Sequence, residues 1–492
     1  MTGRAHRRLA LILTGIGGGV ALALAFWLFP YHAINHDEGV YLQQASLLLR
    51  GRLFLHPPVA DAFRPWFFVD GASGLYAKYA PYPAVLYAAG MALGNARFAL
   101  FAVGATVVGL TYLVGVEVRD RTVGLLAAGF VLVSPLFVVD AATFLPYAPV
   151  AALNLGFAVA YLRAERTGRA SWAALAGALV GLAFFARPYT AVLFALPFVV
   201  HAAWTLWGAR SEIRAGLAGR RVSALARRRL ATAALGLCGV VVALAYNRYL
   251  TGSAFVFPYQ AFAPHDGLGF GPHALRGYGH DYTPTVALRA NAVVVWRLVS
   301  RWVAGGLLGS ALAAVGLAVV LFRRRDADAR LLVLAGLYPS VVLGNVYFWG
   351  NYNLLSPDFN AAQGLLRYLG PYYHFGLLAP TAIFAALGLR WLHARVRPHL
   401  DGVDRRVALT VALVACVVAA AAVGGALAGP LSRNAANTAE YEQGYAPLTD
   451  GAAPENAVVF LPPTYGDWLN HPYQALRNDP GYDADTLYAL DG

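Results

Sequence analysis

From Leu9 to Pro30 the chain carries no charged side chain. A helix needs about 20 apolar residues to cross the hydrocarbon core of a bilayer, and few other folds use so long an uncharged run. The pattern recurs. Eleven segments read as spans: about 9–30, 97–117, 122–139, 142–162, 171–186, 188–207, 231–250, 302–322, 331–350, 373–393 and 407–428. Only 13% of the 492 residues are charged and 59% are hydrophobic, against about 25% charged in an ordinary soluble domain. An all-α, polytopic membrane protein of about 11 transmembrane helices is therefore expected.

The formal charge of +13 is an orientation signal and does not point to nucleic acid. Arginines crowd the short loops at 4–8, 210–229, 323–330 and 390–406. Positive charge gathers on the cytoplasmic side, so the N-terminus is expected inside the cell membrane. Residues 31–96, 140–141, 187, 251–301, 351–372 and 429–492 then face outward. These outer loops are long, aromatic and rich in Gly, Pro, His and Asp, and function is expected there. Residues 1–428 form the expected transmembrane domain, with 31–96 as its first outer loop, and 429–492 a short extracytoplasmic segment. Cys238 and Cys416 lie in apolar runs and suggest neither a disulfide nor a metal site.

Within the first outer loop, Glu38–Leu49 reads as an amphipathic helix lying along the membrane surface, and Tyr82–Leu93 as an interfacial or re-entrant one. Asp37 and Glu38 stand at the start of the first. They either cap that helix or supply a carboxylate that accepts a proton or holds a cation. The chain's single lysine, Lys78, falls in the same loop, where a compact ammonium suits a phosphate oxygen. Asp140 closes the third span, Arg187 stands between the fifth and sixth, and Arg367-Tyr368 precedes the tenth. Three histidines and two aspartates lie within 265–281, among them His265, Asp266 and His273. Their spacing matches no strong metal signature, and a polar substrate-binding loop is the expected role. No glycine-rich phosphate loop stands in a strand–turn–helix context, so an activated group must arrive from a donor within the bilayer.

These pieces, in this order, resemble the GT-C superfamily of integral-membrane glycosyltransferases. The chain is most similar to the branch of protein O-mannosyltransferases and the lipid A aminoarabinose transferase. The resemblance rests on DEGVYLQQASLLLRGRLF after the first span, KYAPYPAVLY, the SPLF run, GALVGLAFFARPYTAVLF around Arg187, YNRYLTGSAFVFPYQ, and an Arg-Tyr before a late span. It implies a sugar donor linked to dolichyl or undecaprenyl phosphate and a glycan, lipid or protein acceptor outside the cytoplasm. It also implies catalysis with inversion by Asp37, with Glu38 beside it, and phosphate binding by Lys78 with Arg187 or Arg367. Tyr41, Tyr147, His265, Asp266, His273 and Tyr368 are the expected substrate contacts. Relatives carry a second acid in a Thr-Asp-Ala-Pro-like string where this chain reads Leu145-Pro146-Tyr147-Ala148-Pro149, so Asp140 is the candidate for that role. A divalent cation is left open. Two other activities fit the same charges: a transporter or flippase of a lipid-linked sugar, and an oligosaccharide ligase or polymerase. The spans are almost free of acids, whereas coupled transporters bury ionisable groups near mid-membrane, which favours the enzyme.

Overall fold

The computed structural model describes residues 3–65, 67–218, 222–275, 278–322, 328–355, 359–360, 362, 364–400, 403–449, 456–461 and 477–490. Helix α1 (Gly3–Trp27) leads into the first loop, which holds α2 (Asp37–Leu49), α3 (Ala60–Phe63), a hairpin of β1 (Phe68–Gly71) and β2 (Gly74–Ala77), and α4 (Tyr82–Ala92). The body then runs through α5 (Arg97–Val118), α6 (Arg121–Leu132), α7 (Pro135–Asp140), α8 (Tyr147–Thr167), α9 (Ala170–Ala186), α10 (Pro188–Gly208), α11 (Arg210–Ala218) and α12 (Ala224–Thr251). A second long loop contains α13 (Pro258–Phe262) and a hairpin of β3 (Gly271–Leu275) and β4 (Tyr278–Tyr282). There follow α14 (Pro284–Arg297) with a π-helical turn at Leu298–Trp302, α15 (Leu307–Phe322), α16 (Ala329–Ala335), α17 (Leu337–Gly344), α18 (Gly350–Asn353), α19 (Leu366–Leu369) and a 3-10 turn at Tyr372–Leu377. Helices α20 (Leu378–Leu400) and α21 (Arg405–Thr449) precede a parallel pair, β5 (Ala457–Leu461) and β6 (Thr486–Leu490).

Each expected span coincides with helix, but they differ in kind. Six helices are long and apolar enough to cross a membrane, or seven if the pair Pro284–Trp302 and Leu307–Phe322, bent by 103°, is one span. The other four expected spans hold shorter or more polar helices. Helices α6, α9 and the α16–α17 pair are short, and α8 is charged by Arg163, Glu165 and Arg166 near its end. Helix α8 is buried along most of its length, so its neighbours rather than lipid cover it.

Close approach of small residues lets the bundle pack where no hydrophobic effect drives helices together. A Cβ on Gly239 of α12 would run into the backbone of Gly181 on α9, and one on Gly316 of α15 into the Phe384 carbonyl on α20. At the end remote from the first loop, buried Glu117 of α5 accepts from Arg163 Nε (2.7 Å) and Arg166 Nε (2.8 Å) of α8. Cys238 and Cys416 are free and exposed.

Helix α2 departs from expectation. It is not a surface helix with one wet face: Glu38 through Ala45 and Leu47 are all buried, Gln43 and Gln44 included. It packs against α4, and Gln44 donates to the Tyr79 carbonyl (3.1 Å), so its polar side faces protein groups rather than water. Helix α21 continues without a break past residue 428 to Thr449.

Candidate functional site

The first loop is built around two fixed points. The Asn35 side chain accepts from the Asp37 amide (3.0 Å), which starts α2 and sets the Asp37 carboxylate at its first turn. The β1–β2 hairpin pairs Phe68 with Ala77, and the next residue, Lys78, donates its amide to the Phe67 carbonyl (3.1 Å). Phe67 has φ 62, a left-handed backbone that costs a non-glycine residue of order 1 kcal/mol or more. That conformation serves Lys78 twice: the carbonyl takes its amide, and the Phe67 ring lies 3.6 Å beneath its ammonium. Tyr79, Tyr259 and Phe262 stand 4.8–4.9 Å away, completing a box of four rings.

Glu38 is the anchor of this arrangement. It is buried, and its two carboxylate oxygens accept from Phe144 (2.6 Å) and from the Ala33 amide. The first loop is thereby tied to the residues between α7 and α8. Burial pushes the Glu38 carboxyl up to about 7, although both amides and Arg97 oppose the shift. An acid whose folded-state pKa exceeds its unfolded value binds a proton on folding, so its contribution weakens as pH rises from about 4.5 to about 7 and is level above that. The difference is on the order of 3 kcal/mol for such a shift. Thermal unfolding of Glu38→Gln across that pH range is expected to show a shallower slope than wild type. Parallel slopes would mean that Glu38 ionises freely in the folded state.

These elements enclose a cavity of about 520 Å3. Asp37, Lys78, Arg187 and Asp266 bring charge to its wall, and Tyr41 and Tyr147 bring rings and hydroxyls. Asp37, which lines the space, accepts from the Tyr79 hydroxyl through Oδ1 (2.7 Å). Arg187, at the break between α9 and α10, lies 4.7 Å over the Tyr147 ring. Tyr147 also stacks on Tyr372 at 4.2 Å. Asp266 accepts from the Tyr259 hydroxyl and the Trp349 indole, so it braces the wall behind Lys78. Two carboxylates, one of them braced by Tyr259 and Trp349, thus share a pocket with an ammonium and a guanidinium.

The remaining sequence candidates lie elsewhere. Asp140 is completely buried, outside the cavity lining, and neither of its oxygens has a hydrogen-bond partner among the described residues. Burial, then the Glu38 charge, raises its pKa well above the usual carboxylate range. Tyr147, not an acid, holds the position beside Arg187. His265 is exposed, while His273 stacks on Trp349 at 4.9 Å and supports the wall from behind. Arg367 faces a different cavity, with Tyr368 beneath its guanidinium at 4.5 Å, because α19 points it toward the π-helical turn. Sequence reading misses Tyr79 and Tyr373, although the strings YAKYAPY and PYYHF are unusually dense in tyrosine. Among the described residues no three His, Cys, Asp or Glu side chains converge to hold a metal ion.

The fold recurs in solved proteins. ArnT from Cupriavidus metallidurans, in a structure bound to undecaprenyl phosphate, aligns over 99% of this chain and 84% of its own at 12% identity and TM-score 0.55. The chain has the GT-C fold. The apo form of ArnT aligns at 15% identity and TM-score 0.53, over 93% of this chain and 83% of ArnT. The Archaeoglobus fulgidus oligosaccharyltransferase AglB, in complex with an inhibitory peptide and a dolichol-phosphate, aligns at 12% identity and TM-score 0.53. That match covers 98% of this chain but 64% of AglB. Residues 79–218 match the family described as dolichyl-phosphate-mannose-protein mannosyltransferase. The match begins one residue after Lys78, so Asp37 and Lys78 lie outside it. Residues 457–492 match a family described as a domain of unknown function (DUF7846). No curated protein sequence matches the chain significantly.

Proposed function

We propose that this GT-C protein is a membrane glycosyltransferase that moves a sugar from a polyprenyl-phosphate donor to an acceptor hydroxyl on the extracytoplasmic face, with inversion. The observation that carries this reading is the shared cavity: Asp37 and Lys78, apart in sequence, line one space with Arg187. The Asp37 carboxylate accepts the proton of the acceptor hydroxyl as the hydroxyl oxygen bonds to the anomeric carbon. The carbon–oxygen bond to the phosphate breaks on the opposite side, and the bonding pair leaves with the polyprenyl monophosphate. That leaving group needs charge stabilisation rather than a proton, and Lys78 and Arg187 supply it from fixed positions. The ring box around Lys78 keeps the ammonium partly desolvated, which strengthens its attraction for the phosphate. The acceptor class fitting this chemistry is a hydroxyl on a glycan, lipid or protein.

The same reading has the chain pass the cell membrane eleven times, with the N-terminus in the cytoplasm, residues 1–428 as the transferase domain and 429–492 outside. It is tested by supplying the purified protein in liposomes with radiolabelled undecaprenyl-phosphate sugars and extracted envelope acceptors. Time-dependent label in a product with inverted anomeric configuration is expected. Movement of the intact lipid-linked sugar across the bilayer without bond cleavage would identify a flippase instead.

A further inference from the structure

The cavity that takes Arg367 away from Asp37 has its own logic. About 400 Å3 in volume, it is lined by Arg297, Arg301, Arg367 and Arg433, with Trp302 closing one side. Four guanidinium groups around one space repel each other unless an anion joins them. Among the described residues none of the four has a carboxylate within salt-bridge range, and Arg367 Nε is buried without a hydrogen-bond partner. Two backbone carbonyls brace the cluster instead: Arg367 donates to that of Ala362 (3.2 Å), and Arg433 to that of Arg367 (2.9 Å).

A second space of about 430 Å3 shares Arg301, Trp302 and Arg433 with the first. It runs down one face of α21 past Gly429, Ala426, Gly425 and Ala422. With Arg433 these positions follow the 3–4 spacing of a single helical stripe, so the charged end and the small-residue trough are continuous. Opposite stand Gly305, Gly306 and the half-exposed Leu307 and Leu308. The result is a polar head site opening into an apolar groove.

We infer that this composite cavity binds a lipid phosphomonoester, with the phosphate among the four arginines and the chain along α21. A monoester carries about −1.5 to −2 charge at pH 7, which suits a four-arginine site better than the single charge of a diester. Guanidinium forks also match phosphate oxygens bidentately. A polyprenyl monophosphate, unlike a glycosylated polyprenyl phosphate, is such a monoester, so the site favours the spent carrier over the donor. The binding claim holds whether or not the Asp37 cavity transfers a sugar.

The test is native mass spectrometry of the full chain in detergent, in a Lys78→Met background that weakens the first cavity. The probes are undecaprenyl phosphate, phosphatidylglycerol and inorganic phosphate. One retained undecaprenyl phosphate is expected, held at least about tenfold more tightly than phosphatidylglycerol. Arg297→Gln/Arg433→Gln should weaken retention at least tenfold, and Arg433→Lys less. Gly425 has open space where a side chain would stand, so Gly425→Leu should fill the groove and displace the lipid without disturbing the bundle. Unchanged melting temperatures identify the variants that fold. Undiminished retention in folded arginine variants, or in Gly425→Leu, would overturn the inference. So would equal retention of phosphatidylglycerol, or displacement by inorganic phosphate at equal concentration.

Discussion

Asp37→Asn is expected to lower the rate of sugar transfer by on the order of 10²–10⁴-fold, the usual contribution of a positioned general base. The substitution is close to isosteric. The amide oxygen can still accept the Tyr79 hydroxyl that fixes Asp37, so the loop should fold and the donor should bind. What disappears is the carboxylate that takes the proton. The loss should therefore fall in kcat, with KM for the lipid donor little changed. Neighbouring carboxylates cannot take over: Glu38 is engaged by two backbone amides, and Asp266 by Tyr259 and Trp349. Asp140→Asn, in contrast, should leave turnover within a few fold of wild type, since its carboxyl is buried away from the cavity. If Asp37→Asn keeps most of its activity, another group takes the proton from the acceptor and Asp37 is not the base.

How much of this can be read from the chain depends on which forces write themselves locally. Hydrophobic runs are local, so the helical segments can be placed, yet whether a helix meets lipid or protein is decided by its neighbours. Helix α8 shows the difference: its composition fails as a free-standing span, and the bundle buries it. Helix α2 shows the converse, since Gln43 and Gln44 read as a wet face and are covered. At the site, the rarity of lysine and a shared loop suggest the pairing of Asp37 with Lys78. The ring box is not legible, because Tyr259 and Phe262 come from a loop far along the chain and meet Lys78 only through the fold. Arg367 looks equivalent to Arg187 in sequence, both lacking acidic neighbours. Their division between two cavities depends on the turn of α19, which no periodicity reveals.

Lys78 carries the second large expectation. Removing its charge with Lys78→Met, which retains a flexible chain able to lie among the rings, should reduce kcat/KM for the lipid donor by roughly 10²–10³-fold. That is the scale of deleting one preorganised donor to a developing anion. Lys78→Arg should lose nearly as much despite keeping the charge. Phe67 lies 3.6 Å from the ammonium, and three further rings stand within 4.9 Å. A planar guanidinium is wider than an ammonium and must either splay this box or swing out of it, leaving the phosphate position empty. Enlarging the box should then restore part of the activity: Phe262→Ala, combined with Lys78→Arg, makes room for the fork. Steady-state kinetics with varied undecaprenyl-phosphate sugar will separate the possibilities. Full activity in Lys78→Arg would mean that charge alone matters and the box is mere packing. Full activity in Lys78→Met would remove Lys78 from the donor site and leave Arg187 as the phosphate's partner.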